Sequence, residues 1–154
     1  MGPCRAPAST CSPVRRWWSR GPALDLGDGV WLAAADRLQR ALRSFERVAR
    51  AVPSGPARDE LEAAFGPLSA AVSDGRTACA AAQRAAPSTG LDVPPGEWGV
   101  LHHRLTRLGA EIAAAAEGAA MVRAGDLSPV ARVSTRATRV RDQAADIRAA
   151  ANPG

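Results

Sequence analysis

Residues 30–72 read VWLAAADRLQRALRSFERVARAVPSGPARDELEAAFGPLSAAV. Apolar side chains recur in this stretch at alternating steps of four and three: Trp31, Ala35, Leu38, Leu42, Phe45, Ala49 and Val52. A mean step of about 3.5 residues is the seam of one helix packed on another. It predicts a first helix over 30–52. Pro53-Ser54-Gly55-Pro56 stops that helix and starts the next, with Pro56 suited to a first helical turn. The same rhythm resumes at Leu61, Phe65, Leu68, Val72, Gly75, Cys79, Ala82 and Ala86. It predicts a second helix over 56–86. Pro67 follows Gly66 inside it and removes one backbone donor. The phase survives across this pair, so the reading is one bent helix, not two.

Downstream, PSTGLDVPPG at 87–96 reads as a loop. A third helix over 96–124 carries Trp98, Leu101, Leu105, Leu108, Ile112, Ala115, Ala119 and Val122, and Gly125 ends it. Ser128 is placed to cap a fourth helix over 129–151, with Pro129 in its first turn. That helix carries Val130, Val133, Ala137, Val140, Ala144, Ile147 and Ala151.

The four patterns are in mutual register. In an antiparallel hairpin, facing residues have numbers of constant sum. Ala49 with Leu61, Phe45 with Phe65, Leu42 with Leu68 and Leu38 with Val72 satisfy one sum. Val122 with Val130, Ala119 with Val133, Ala115 with Ala137 and Ile112 with Val140 satisfy another. For helices two and three the sum alternates between two adjacent values. The fold expected is an all-α, antiparallel up-down-up-down four-helix bundle with heptad-like core layers. Its layers are Phe45/Phe65/Ala119/Val133, Leu42/Leu68/Ala115/Ala137, Leu38/Val72/Ile112/Val140, Ala35/Gly75/Leu108/Ala144 and Trp31/Cys79/Leu105/Ile147. Large side chains face small ones, as close packing requires. The fourth layer is thin, which predicts close helix approach there in preference to a cavity.

The domain so defined spans 30–151, with a short tail at 152–154. Residues 1–29 read as a disordered leader. A further expectation is that translation starts at Val30, because a GTG codon can initiate in bacteria. CSPVRRWWSRG at 11–21 sets two tryptophans among three arginines. Its Arg15-Arg16 pair is not followed by the apolar run an export signal needs. No stretch reaches the roughly 18 apolar residues that span a bilayer. A cytoplasmic protein is the expectation.

Composition narrows function. The chain of 154 residues has a formal charge of +5 and no lysine, so every basic residue is an arginine. Tyrosine is absent too, which points to a GC-rich genome. Without lysine there is no phosphate-binding P-loop. His102 and His103 are adjacent and diverge by about 100° on a helix, so they do not share a metal simply. Three cysteines without a C-x-x-C spacing support neither a disulfide framework nor a zinc ribbon. The core positions hold no carboxylate, histidine or lysine, whereas di-iron bundles need inward glutamates. The expectation is a protein that is not an enzyme and uses no cofactor or metal.

Two surfaces remain. Helix one carries five arginines against two carboxylates, and so does helix four. With these helices as neighbours, Arg37, Arg40, Arg43 and Arg47 join Arg132, Arg136, Arg139 and Arg141 in one basic face for nucleic acid or another polyanion. Pairs at i,i+4, Asp36 with Arg40 and Glu46 with Arg50, offset part of that charge. At the other candidate surface, helices two and three outrun their partners. The hairpin tip then gathers Trp31, Leu91, Val93 and Trp98, either as a minicore that caps the bundle end under the loop or as an apolar patch for a protein partner or for self-association. The leading expectation is a non-enzymatic interaction or scaffold protein, with polyanion binding second. In its alanine- and arginine-rich helical composition, 30–154 resembles helical proteins of unassigned role from actinobacteria. That resemblance implies no site residues.

Leu38 and Ile112 sit in the same central layer. Replacing either by Ala is expected to cost about 2–5 kcal/mol of stability, measured by urea unfolding.

Overall fold

A computed structural model describes residues 24–152. It contains four helices: α1 (Val30–Arg50), α2 (Pro56–Ala85), α3 (Glu97–Arg123) and α4 (Val130–Ala151). They pack as a four-helix bundle. α2 runs unbroken through Pro67. Every residue of the five core layers is buried except Phe65, which is partly exposed.

Chain directions alternate, but the neighbours differ from the simple meander. α1 packs on α2 and α3, and α4 packs on α2 and α3. α1 and α4 make no direct contact, and α2 meets α3 only marginally, across the diagonal. The neighbouring pairs α2/α4 and α1/α3 therefore run parallel. Glu60 reaches Ser134 at 3.1 Å and Asp74 reaches Arg148 at 2.8 Å, both across an offset of 74 residues. Arg37 reaches Thr106 at 3.4 Å, and Trp31 meets His102 edge-on at 6.0 Å between ring centroids.

Loop length explains the arrangement. The α1–α2 and α3–α4 connections are short and join adjacent antiparallel helices. The α2–α3 connection, residues 86–96, has more reach. With helices about 10 Å apart, a diagonal is roughly 14 Å, which about five extended residues span. The connection crosses the end of the bundle beneath α1. Ser88 fixes it there. Its backbone N–H donates to Gln83 Oε1 at 3.1 Å, and its hydroxyl donates to the carbonyl of Gly90 at 3.0 Å. The same hydroxyl accepts from the backbone N–H of Val30 at 3.4 Å. It thereby supplies a cap for α1, whose own N-cap residue is Gly29.

The packed unit begins before α1. Leu26 belongs to the core and Leu24 packs against it. Gly27 turns with φ of +61°, tight against the Gln83 side chain, and Gly29 lies against the Ser88 carbonyl. Residues 24–29 thus form part of the folded domain, in place of the boundary at Val30. The motif CSPVRRWWSRG lies outside the described residues.

α4 starts without the expected Ser128 cap. Asp126 Oδ1 instead accepts from the Ser128 backbone N–H at 2.9 Å, an Asx turn that leads the chain into the helix. The thin layer is filled. Leu38, Leu105 and Leu108 converge on Gly75, where an added Cβ would stand 2.6 Å from Leu38 Cδ1. The absence of a side chain at Gly75 is what admits Leu38.

Two other helical glycines separate packing from propensity. A Cβ on Gly118 would stand 2.7 Å from Val133 Cγ2, a β-branched side chain with little freedom to yield. A Cβ on Gly109 would make only ordinary contact, at 3.6 Å, with Arg37 and Leu38. Gly118→Ala is therefore expected to destabilise by about 1–3 kcal/mol. Gly109→Ala is expected to stabilise by roughly 0.5–1 kcal/mol through helix propensity. Urea midpoints moving in opposite directions are the check.

Candidate interaction surfaces

The four residues of the sequence-predicted tip do not form one surface. Trp31 is fully buried, with an exposure of 0%. Its indole Nε1–H donates to the carbonyl of Ala86 at 2.9 Å. Trp98 is partly buried and packs against the core. Leu91 and Val93 are exposed, at 81% and 42%. Val100, in the first turn of α3, is exposed at 55% and was not singled out by periodicity. Its signal is positional: it is an apolar residue off the seam Trp98–Leu101–Leu105. The loop that carries Leu91 is held at Ser88 by three hydrogen bonds.

The eight arginines of the expected basic face are likewise divided. α1 and α4 are diagonal partners, so their outward surfaces face opposite ways. The merged face is a correction that follows from the crossing connection. The two sets also differ in charge balance. On α4, Arg136 and Arg139 both hold Glu111 Oε2, at 3.1 and 3.0 Å. Arg141 pairs with Asp142 at 2.9 Å and Arg148 with Asp74 at 2.8 Å. Arg132 lacks an ion pair among the described residues.

On α1, Glu46 pairs with Arg50 at 2.6 Å. The expected Asp36–Arg40 pair does not close. Arg40, Arg43 and Arg47 are exposed and have no carboxylate within ion-pair distance among the described residues. Arg37 donates to the Thr106 hydroxyl. From α2, Arg76 donates to Gln39 Oε1 at 3.4 Å, which brings another cation to the flank of α1.

The titratable groups inside the bundle are few. Burial pushes the Cys79 thiol up to about 12, which keeps it protonated and unreactive at neutral pH. His102 lies against Trp31, and its pKa is lowered first by burial and then by the nearby Arg37 and His103. Among the described residues, no three His, Cys, Asp or Glu side chains come together as a metal site. None of the four helices is long and apolar enough to cross a membrane.

In comparisons with known proteins, no family model, no curated protein and no solved structure matches the chain.

His102 gives stability a defined pH dependence. The fold favours neutral imidazole, while the unfolded chain takes up its proton near the ordinary value of 6.5. Protons therefore bind the unfolded state more readily in the window just below that value. The contribution of His102 is full above it and is lost as pH falls toward the lowered folded value. Urea unfolding across this window is expected to show falling stability on acidification. His102→Gln is expected to flatten that part of the curve.

Proposed function

We propose that this protein is a non-enzymatic interaction module, a helical bundle that presents an apolar contact site to a protein partner. The observation that carries the reading is Leu91, 81% exposed on a loop that Ser88 fastens to the bundle end. Val93 and Val100 are exposed near it in sequence. Scattered exposed leucines are ordinary, but one held on an anchored loop costs little further ordering when a partner covers it. Burying such a side chain contributes about 1.5–3 kcal/mol, the scale of an interface anchor. The interior supports the same reading. Its layers are filled by Leu, Ile, Val, Phe, Trp, Cys and Ala side chains, which suits a rigid frame whose chemistry lies on its surface.

The test places a photo-crosslinking residue at Leu91 and, as a comparison, at Arg132 on the opposite end of the bundle. In cells, position 91 is expected to give a discrete adduct that excess wild-type chain competes away. The Leu91→Asp chain is expected to compete poorly. Equal adduct patterns at both positions, or full competition by Leu91→Asp, would refute the reading.

A further inference from the structure

The polar groups of the bundle are sorted between its two diagonal edges. α4 lies between two neighbours that turn carboxylates toward it. α2 sends Glu60 to Ser134 and Asp74 to Arg148. α3 sends Glu111 to Arg136 and Arg139. α1 lies between the same two helices on their other sides, and there they turn different groups toward it. α2 contributes Arg76, bonded to Gln39, and α3 contributes Thr106, bonded to Arg37. The two helices have the same sequence balance of five arginines to two acids. Only α4 is neutralised by its neighbours.

We propose that the outward face of α1 binds the phosphate backbone of duplex nucleic acid without reading base sequence. This face is separate from the Leu91 surface and does not depend on that reading. Arg40, Arg43 and Arg47 rise along α1 by about 4.5 and then 6 Å, and Arg40 and Arg47 differ by only about 20° around the axis. Arg37 extends the row toward α3, and Arg76 borders it on the α2 side. Of the carboxylates beside the row, Glu46 is taken up by Arg50 at 2.6 Å, which leaves two. Asp36 lies within it, and the parallel register that sets Arg37 beside Thr106 sets Glu117 level with Val48. The balance of these seven groups stays positive.

Arginine suits this ligand, because its planar fork pairs two N–H groups with phosphate oxygens. The neighbouring surface selects among polyanions. No aromatic side chain is exposed on α1, so there is no platform on which single-stranded bases would stack. The large exposed apolar residues, Leu91, Val93, Val100, Met121 and Leu127, lie off α1, so the arginine row has no apolar anchor of its own to insert into a lipid surface.

Fluorescence anisotropy of a labelled duplex, titrated with the full chain over a salt series, tests the proposal. Affinity is expected to fall steeply with salt. Each phosphate contact contributes a slope of about 0.9, so Arg40→Gln/Arg43→Gln/Arg47→Gln is expected to flatten the log–log plot by roughly 2.7. Arg84→Gln/Arg123→Gln/Arg132→Gln removes the same charge from other exposed sites and is expected to leave the slope unchanged. Equal loss in both triple variants overturns the proposal, as does the absence of duplex binding at low salt. Binding of anionic vesicles, lost in the α1 variant while duplex is not bound, would reassign the face to membranes. Arginine modification by phenylglyoxal on the wild-type chain needs no variant to fold. Duplex is expected to protect Arg40, Arg43 and Arg47 but not Arg84 or Arg132, and uniform protection would equally overturn the assignment.

Discussion

The indole of Trp31, donating to the carbonyl of Ala86, ties the start of α1 to the end of α2. That single bond sits at the point where the chain must choose its course into α3. Held beneath α1 there and at Ser88, the connection is led across the bundle end to the far side of α1 and not back along the near side of α2. This path accompanies the diagonal placement of α2 and α3 and the parallel pairing of α1 with α3 and of α2 with α4, which the length of the connection permits. A buried indole N–H left without this partner would cost about 1–3 kcal/mol, so the bond constrains the local path strongly. The segment 24–29 closes over the same region through Leu26 and Gly29, which makes the N-terminal approach part of the same knot.

This topology decides where charge is exposed. A meander would set the arginines of α1 and α4 side by side and compel them to repel or to recruit a ligand jointly. The crossing connection separates them by the whole width of the bundle. It also gives each of α2 and α3 one edge toward α1 and one toward α4. Acids on the α4 edges, Glu60, Asp74 and Glu111, then meet cations or a hydroxyl there. Exposed pairs of this kind contribute little to stability, about 0–1 kcal/mol each. Their larger effect is on the field outside the protein, which they cancel at α4 and leave standing at α1.

The parts legible in the sequence were those set by periodicity. A heptad seam states which residues of a helix turn inward, and Leu38, Leu68, Leu108 and Val140 lie inward as their spacing requires. The continuity of α2 across Pro67 was legible for the same reason, because the phase did not slip. A seam does not state which neighbour it meets. Two heptad patterns of opposite direction give constant sums whether or not the helices touch: the seams of α1 and α4 also sum to a constant, yet those helices are diagonal. Buried Ala34, Ala64, Ala71 and Ala116 escaped the seam reading because each helix packs against two neighbours and so buries a stripe wider than a/d positions alone. Trp31 was legible both as a core-layer residue and as part of the tip, and the structure takes it inward, where its indole N–H donates to the Ala86 carbonyl. The two ion-pair expectations on α1 share one spacing, yet only Glu46–Arg50 closes. Spacing permits such a pair, but side-chain entropy and solvent decide it.

The alanine content of the bundle has a physical counterpart in its glycines. Small residues on one helix admit large ones from the next, and the exchange is local. Gly75 admits Leu38, with Leu105 and Leu108 closing around it. Gly118 admits Val133. An interior built this way holds its helices close and leaves little free volume for a ligand, because each vacancy on one helix is the seat of a side chain from another. The surface, in turn, depends on this packing. The core determines the display indirectly. Close packing at Gly75 and Gly118 fixes α1 against α2 and α3 against α4, and the crossing connection sets how those two pairs join. Which arginines meet carboxylates, and which face solvent alone, is the consequence of those two constraints acting together.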